Sequence, residues 1–247
     1  MSVVAVPFFM GDPMPGFEVP EPYETLAPAL PEADPQHRMG VLYRHLCDRV
    51  AKLDNPVVYA GDCVSTMGVL AGLEQKGILP TLIFFDAHGD FNTWETSPSG
   101  FIGGMPLAML SGRGEQTIVE GAGLTPLPPD RVILVDGRNL DPGEDIAVAE
   151  SGIIHTTVDV LAHSLPPEGP LYVQVDGDVV DPRDMPAMNF PVADGPSLQA
   201  VRMAMIHLAT TGRVVAFSIS SWNPALPGAE VAAAAMLQLA APFLAEV

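Results

Sequence analysis

Apolar runs of strand length alternate with stretches of helical spacing along most of this chain. The run TLIFFD at 81–86 is almost continuously apolar until its last residue, a pattern typical of a central parallel strand that is covered on both faces. Strands are predicted at 3–9, 56–63, 81–86, 131–136, 153–158, 171–175 and 213–219, and helices at 37–54, from 65, from 106, at 141–150, 197–210 and 229–247. The proline-rich stretch 12–35 is predicted as a long loop, because proline interrupts helices. This alternation predicts an α/β fold: a single three-layer α/β/α domain over residues 1–247, with a mostly parallel sheet of about seven or eight strands.

The charge balance of the chain is strongly acidic, with 30 Asp and Glu against 11 Lys and Arg and a formal net charge of −19. Such a charge repels phosphate backbones and anionic membrane surfaces, so neither nucleic acid nor a membrane is expected as a partner. Acidity of this kind more often serves solubility than binding, but an acidic cleft would attract metal ions and cationic or amine-bearing small molecules.

The chain contains two cysteines, Cys47 and Cys63, which are too few for a disulfide framework. No apolar run approaches the roughly 18 to 20 residues of a membrane span. The apolar start of the chain lacks the basic residues of a signal peptide. We therefore expect a cytoplasmic protein.

Acidic and histidine side chains follow directly after predicted strands. Asp86-x-His88-x-Asp90 and Asp176-x-Asp178 come at strand ends, where ligands bind in open parallel sheets. A single Asp at such a place commonly does no more than cap a turn. Four carboxylates beside an apolar core, with no Lys or Arg in the same segments, need a compensating cation. The set therefore predicts a metal site.

Three motifs resemble those of the arginase and agmatinase (ureohydrolase) family. They are DAHGDFNT at 86–93, VDGDVVDP at 175–182, and Gly61-Asp62, after which the family has a metal-binding His and this chain has Cys63. The resemblance implies an arginase-like fold with two metal positions, usually filled by manganese. By resemblance the first position would be held by Cys63, Asp86, Asp90 and Asp176, and the second by Asp86, His88, Asp176 and Asp178.

Cysteine at position 63 leaves the identity and the number of the metal ions open. Thiolate is a soft ligand that favours zinc or iron over manganese. Alternatively, Cys63 is a buried apolar residue that has replaced a lost ligand, which leaves one site of Asp86, His88 and Asp178. That trio also resembles the single zinc site of histone-deacetylase-like proteins, so one-metal deacylation is an alternative activity.

Two active-site residues of the family are absent. The family has a His proton shuttle before Gly-Met-Pro and a Glu before x-Asn-Pro that grips the guanidinium, whereas this chain has Gly103 and Ser221. Without the carboxylate, a guanidinium loses its bidentate partner. Efficient arginase or agmatinase activity is therefore not expected.

Other positions match the substrate contacts of the family. Asn92 and Ser99 belong to the loop that reads the polar end of the substrate, but Phe101 stands where the family has Asn. Asp141 and Glu144 match a segment that reaches a substrate amino group, and they equally form a standard helix start. Residues that flank these motifs and are candidates for an apolar pocket wall are Trp94, Trp222, Met185, Met188 and Phe190.

These patterns predict a metal-dependent hydrolase that acts on a linear, non-peptide C–N bond in an amide, an amidine or a modified guanidine. The resemblance implies that metal ions activate a water, and Asp178 is the residue expected to hold that water by a hydrogen bond. The alternatives are the one-metal deacylase and a catalytically silent protein that binds metal or a small molecule. The resemblance also implies a homo-oligomer, either a trimer or a hexamer.

Overall fold

A parallel sheet lies at the centre of the protein, which the computed structural model describes for residues 2–19 and 23–244. The strands are β1 (Val3–Val6), β2 (Phe8–Phe9), β3 (Asp12–Pro13), β4 (Glu24–Thr25), β5 (Val57–Ala60), β6 (Thr81–His88), β7 (Val132–Asn139), β8 (Ile154–Thr156), β9 (Leu171–Asp176) and β10 (Val214–Ser220). Eight of them form the sheet, in the order β4-β1-β5-β10-β9-β6-β7-β8. Every pairing in this sheet is parallel.

Helices cover both faces of the sheet. They are α1 (Pro35–Val50), α2 (Thr66–Gln75), α3 (Pro106–Leu110), α4 (Thr117–Ala122), α5 (Glu144–Ser151), α6 (Val158–His163), α7 (Leu198–Thr210) and α8 (Ala229–Leu244). Buried residues of α1 to α5 belong to the core on one face, and those of α6 to α8 belong to the core on the other. The predicted three-layer α/β/α arrangement with a parallel sheet is confirmed. Within the described ranges, no helix is both long and apolar enough to cross a membrane.

The alternation of side chains along β6 shows why its sequence is apolar throughout. Leu82 and Phe84 pack into the core on one face, while Ile83 and Phe85 pack into the core on the other. Because successive side chains of a strand point to opposite faces, a strand between two helical layers needs apolar residues at every position. Polar residues can then follow only where the strand leaves the core.

Several predicted boundaries were wrong for local reasons. The predicted strand at 153–158 ends earlier, because Thr157 Oγ1 accepts a hydrogen bond from Val160 N and caps α6. The predicted first strand at 3–9 divides at Pro7, so that β2 pairs antiparallel with β3 instead of joining the main sheet. Helix α4 was not predicted, and the predicted loop 12–35 contains β3 and β4. The predicted last helix is present as α8, and positions 245–247 lie outside the described residues.

Candidate active site

The carboxyl ends of β5, β10, β9 and β6 lie side by side and open into one cavity of about 300 Å³. The strand register places these ends at the same level, since Ser220 pairs with Asp176 and Phe85 pairs with Val175. Sequence-predicted site residues that line the cavity are Cys63, Asp86, His88, Asp90, Asn92, Ser99, Phe101, Asp141, Glu144, Asp176, Asp178 and Ser221. The cavity therefore lies where ligands bind in open parallel sheets.

Possible metal-ligating atoms form two groups among the described residues. One group consists of Cys63, Asp86 and Asp90, and the other of Asp86, His88 and Asp178; within each, the ligand atoms lie within 4.8 Å of one another. Both groups contain Asp86, so this carboxylate is placed to contribute to both metal positions. Asp176 belongs to neither group, although the resemblance implied a bridging ligand; its carboxylate accepts hydrogen bonds from Ser221 Oγ and Asp178 N.

Main-chain amides hold these carboxylates in place. His88 N donates to Asp86 Oδ1 at 2.7 Å, Asp178 N donates to Asp176 Oδ1 at 3.1 Å, and Ala87 N donates to Asp178 Oδ1 at 3.2 Å. Asp side chains commonly bond to the amide two residues on, so each strand end folds into a turn that positions its own acid. These acids therefore cap turns, as the sequence allowed, and also line the cavity wall.

The backbone is in the left-handed region at two non-glycine residues of the site, Asp90 with φ 50° and Ser221 with φ 75°. Such conformations cost free energy and cluster at functional sites. Asp90 is held there by its carbonyl oxygen, which accepts from Leu107 N at 2.9 Å and Ala108 N at 3.1 Å at the start of α3. The same conformation directs the Asp90 carboxylate towards Cys63, whose Sγ lies 3.3 Å from Asp90 Oδ2.

Burial and mutual repulsion raise the pKa of every acid in the cluster. Burial, and after it the charge of Asp176, raises the pKa of Asp86 to about 6. Burial and then the charge of Asp86 raise the pKa of Asp178 to about 6. The pKa values of Asp90 and Asp176 rise well above the ordinary range, first through burial and then through neighbouring carboxylates. The ionised cluster thus needs a positive charge close by.

The same acids also shift the pKa values of the His88 imidazole and the Cys63 thiol. Burial lowers the pKa of His88, but hydrogen bonds to Asp178 and Asp86 and their charges outweigh it, so the pKa rises to about 12. His88 Nδ1 lies 3.1 Å from Asp178 Oδ2 and 3.4 Å from Asp86 Oδ1. Burial, followed by the charge of Asp90, raises the pKa of the Cys63 thiol well above its usual value.

The donor set fits divalent metal ions. No Lys or Arg of the described residues lines the cavity, so His88 is the one basic side chain that faces the acids. Carboxylate oxygens, an imidazole and a thiol are the ligands that transition metals take in proteins, and a bound cation deprotonates a coordinating thiol. Metal binding would therefore remove the repulsion that raises these pKa values.

Glu144 ties the loop after β6 to the start of α5. Its Oε1 accepts from Phe91 N at 2.8 Å and from Asn92 Nδ2 at 3.2 Å, and its Oε2 accepts from Asp141 N at 2.9 Å. Asp141 Oδ2 also accepts from Asn92 Nδ2, at 2.9 Å. Both acids line the cavity, but the predicted helix start at Asp141 was wrong: α5 begins at Glu144 after Gly143, and the Asp141 side chain accepts from Asn92 instead of capping the helix.

Phe101 and Gly103, which replace polar residues of the family, pack against each other. A Cβ atom on Gly103 would lie 2.3 Å from Phe101 Cε1, so the ring fills the space that a side chain at position 103 would need. Phe190, one of the candidates for an apolar wall, lines the cavity next to this ring.

Trp222 does not line the cavity, although it was predicted as a substrate-binding residue. It is 6% exposed, its ring lies 5.2 Å from that of Phe17, and its Nε1 donates to a main-chain carbonyl of α8. Packing, the more frequent use of Trp, explains it. Trp94, Met185 and Met188 likewise lie outside the wall.

The wall also contains residues that the sequence did not single out as site residues: Phe9, Met10, Asp62, Gly104, Asn139 and Asn189. Phe9 ends the first predicted strand, Met10 follows it and Asn139 ends β7, so the rule that ligands bind at strand ends could have found them. Asn189 lies in the long loop after β9, where no pattern marks it.

Comparison with known proteins identifies the family. Arginase from Bacillus subtilis is 35% identical over 188 residues, which are 69% of this chain and 62% of that protein. N(omega)-hydroxy-L-arginine amidinohydrolase from Streptomyces lavendulae is 27% identical over 242 residues, 95% of this chain and 83% of that protein. The crystal structure of arginase from Bacillus subtilis superposes with a TM-score of 0.84 at 27% identity, over 100% of this chain and 98% of that one.

In sequence, the chain spans 62% of the length of the arginases that it matches from Bacillus subtilis and Bacillus caldovelox. A sequence model of the Arginase family matches residues 23–245, which include every strand end that lines the cavity except that of β2. The chain therefore belongs to the arginase family.

Proposed function

We propose that this protein is a metal-dependent hydrolase that cleaves a linear, non-peptide C–N bond in an amidine, an amide or a modified guanidine. The convergence of Cys63, Asp86, His88, Asp90 and Asp178 in one cavity carries the proposal. Membership of the arginase family supports it, because the matched relatives are named as arginases and as an amidinohydrolase.

The ligand groups have distinct roles in this proposal. Divalent ions bound there would lower the pKa of a coordinated water and so supply the nucleophile near neutral pH. Asp178 Oδ1 is fixed by Ala87 N, which leaves its Oδ2, beside His88, to accept a hydrogen bond from the attacking water. Ser221 Oγ donates to Asp176 and keeps that carboxylate oriented towards the cavity.

The two ligand groups differ in chemistry, and we propose that they prefer different metals. Asp86, His88 and Asp178 offer oxygen and nitrogen, which suit manganese, the usual metal of the family. Cys63 adds a thiol to Asp86 and Asp90, which favours zinc or iron at that position. The group without Cys63 is complete by itself, so one-metal deacylation is the second candidate function.

Ordinary arginine is not the substrate that the cavity favours. Ser221 offers a hydroxyl where the family pairs the guanidinium with Glu, and the Phe101 ring occupies the space beside Gly103, where the family has its His proton shuttle. The Streptomyces lavendulae relative is named for a guanidine modified at its terminal nitrogen. A modified guanidine or an amidine is therefore a better match than arginine.

One experiment tests the proposal directly. The protein is stripped of metal, loaded separately with manganese, zinc and iron, and assayed for release of ammonia, urea or amine from amides, amidines and guanidines. We expect turnover with at least one metal and one compound class, and none after chelation. Bound metal without turnover on any class would favour the catalytically silent alternative.

We also propose, from family resemblance, that the chain assembles into a trimer or a hexamer. Sedimentation velocity at micromolar protein concentration tests this assembly. A single monomeric species would contradict it.

A further inference from the structure

Three phenylalanine rings form a continuous aromatic surface in the cavity wall, and we call Phe9, Phe101 and Phe190 the aromatic wall. The Phe101 ring lies 6.4 Å from the Phe9 ring at an interplanar angle of 26°, and 5.1 Å from the Phe190 ring at 45°. These are distances and angles of interacting aromatic pairs. The rings come from β2, from the loop before α3 and from the loop after β9, so the fold assembles the wall from distant segments.

The aromatic wall takes the place of polar side chains that contact the substrate in the family. Phe101 stands where the family has Asn, and its ring takes the space of a side chain at Gly103. Phe190 contacts the Phe101 ring but is still 49% exposed, so part of this apolar side chain remains in water. An apolar group bound in the cavity would remove this ring from water and gain the free energy of that burial.

Ser99 and Asn92, which match substrate contacts of the family, are engaged by the protein itself. Ser99 Oγ accepts from Phe101 N at 3.2 Å and lies 3.4 Å from Ser97 Oγ. The Asn92 amide nitrogen donates to Asp141 and Glu144. Because no Lys or Arg of the described residues lines the cavity, a carboxylate at the far end of a substrate would meet acids and no cation.

We propose that the end of the substrate that does not react is an aromatic ring, or an apolar group of similar size, held against the aromatic wall. This inference rests on the proposed function for the reacting end, which is a neutral or cationic C–N group that faces the acids. It assigns the substrate class as aryl-substituted amidines, amides or guanidines instead of amino acids.

A matched pair of probes tests the wall by binding alone. Benzamidine and acetamidine share one cationic head and differ only in a phenyl or a methyl group. Calorimetry on the metal-loaded protein should show benzamidine binding at least roughly tenfold more tightly, since a buried ring contributes more than a methyl group. 4-Carboxybenzamidine, which carries an anion at the far end, should bind more weakly than benzamidine.

Substitutions inside and outside the aromatic wall test whether Phe190 causes the preference for benzamidine. Phe190→Ala should reduce benzamidine affinity roughly tenfold and leave acetamidine affinity unchanged, because it removes one face of the wall. Phe190 is half-exposed, so this change leaves the core intact, and Phe190→Tyr should keep the preference. Leu165→Ala, which truncates a 92% exposed apolar side chain outside the cavity, is the matched control and should change neither affinity.

The outcomes separate this inference from the proposed function. Equal affinities for the two amidines, no benzamidine binding, or a preference that Phe190→Ala leaves undiminished would overturn the aromatic wall as a subsite, whatever the turnover assays give. A preference that Phe190→Ala reduces, without turnover of any compound, would support the subsite and count against the hydrolase.

Discussion

Cys63 occupies the position at which the family has a metal-binding histidine, and its Sγ lies 3.3 Å from Asp90 Oδ2. Because thiolate prefers zinc or iron, Cys63→His should shift the bound metal towards manganese. The measurement is the ratio of the manganese Kd to the zinc Kd, obtained by titrating the metal-free protein with each metal separately. Cys47→Ser changes the other buried cysteine and serves as the control. The same Kd ratio in Cys63→His and wild type would contradict Cys63 as a ligand.

Asp86 is shared by both ligand groups, whereas Asp176 belongs to neither. We therefore expect Asp86→Asn to weaken both positions by about 10-fold to 100-fold or more, and Asp176→Asn to lower the metal content but keep at least one ion. Metal stoichiometry by elemental analysis distinguishes the two variants. Asp181→Asn is the control, because Asp181 is a buried acid of the same loop that pairs with Arg183 outside the cavity. Full occupancy in Asp86→Asn would exclude the shared ligand.

Arginine and agmatine should be hydrolysed poorly or not at all. The missing Glu and His would each cost on the order of 10² in rate, although such losses do not add strictly. Glu144 cannot replace the carboxylate without breaking its bonds to Phe91 and Asp141, and Glu95 accepts from Thr93 outside the cavity wall. Urea release is measured with manganese, zinc and iron separately. A turnover near the typical enzyme value of roughly 10 s⁻¹ would contradict the expectation.

At the residue scale, the sequence predicted the acids and named Phe101 and Phe190 as candidates, but it missed Phe9 and the contacts between the three rings. Asp86, His88 and Asp178 follow apolar strands directly, so a local pattern located them. Phe9 and Phe190 meet Phe101 only because distant segments come together in the fold. No spacing along the chain carries that information.

At the scale of the elements, β7 (Val132–Asn139) carries Arg138, which lies outside the cavity. Arg138 supports the loop after β9, where Asp178 lies. The Arg138 guanidinium donates to the carbonyl oxygens of Asp178, Val179, Val192 and Ala193. These contacts join the beginning and the end of the loop that follows β9. Arg138 also pairs with Asp136. One side chain of β7 thus sets the conformation of the segment that carries Asp178.

Arg138→Ala should lower the free energy of unfolding by about 3 kcal/mol, since four main-chain carbonyls, two of them in buried residues, lose a charged donor. It should also weaken metal binding, although Arg138 contributes no ligand atom. Urea denaturation and metal titration check the two effects, and Arg131→Ala near the start of the same strand is the control. If metal affinity is unchanged in Arg138→Ala, the loop holds Asp178 without this support.

Elements with a strong periodic signal were predicted, whereas the two-residue strands β3 and β4 were not. β6 and β9 are apolar runs that both cores cover, so their sequence leaves no other interpretation. The two-residue strands β2 and β3 are too short to carry any periodicity. Helix α6 begins where the Thr157 side chain caps it, a local hydrogen bond that overrides the β-branched residues before it.

At the scale of the whole molecule, the fold was predictable because the hydrophobic pattern and the order of the motifs along the chain indicate the same fold. Alternating strands and helices indicated a parallel sheet, and the acids at strand ends indicated which edge carries the site. The order of the strands was not predictable from alternation, because connection lengths of this kind allow several arrangements. That order brings β5, β10, β9 and β6 together and so makes one site from separate motifs.

Four of the 30 acidic residues are buried together, where their charges destabilise the fold. Within a formal net charge of −19, Asp86, Asp90, Asp176 and Asp178 are buried side by side. Their raised pKa values mean that the folded state resists full ionisation at neutral pH. A divalent ion that binds the folded state alone should therefore stabilise the whole protein.

Metal binding should accordingly raise the melting temperature of chelator-treated protein. At a free metal concentration of about 100 times Kd, the stabilisation is about 2.7 kcal/mol. For a chain of this length each kcal/mol shifts Tm by about 2–4 °C, so the expected rise is roughly 5–11 °C. Calorimetry with manganese or zinc, against sodium chloride at matched ionic strength, measures it. Salt screens buried charges weakly and should produce a much smaller shift.

Asp86→Asn, which removes the shared ligand, should lose most of the metal-induced rise. If sodium chloride reproduces the rise, or if Asp86→Asn retains it, the stabilisation comes from general screening of the acidic surface and not from ions bound in the cavity.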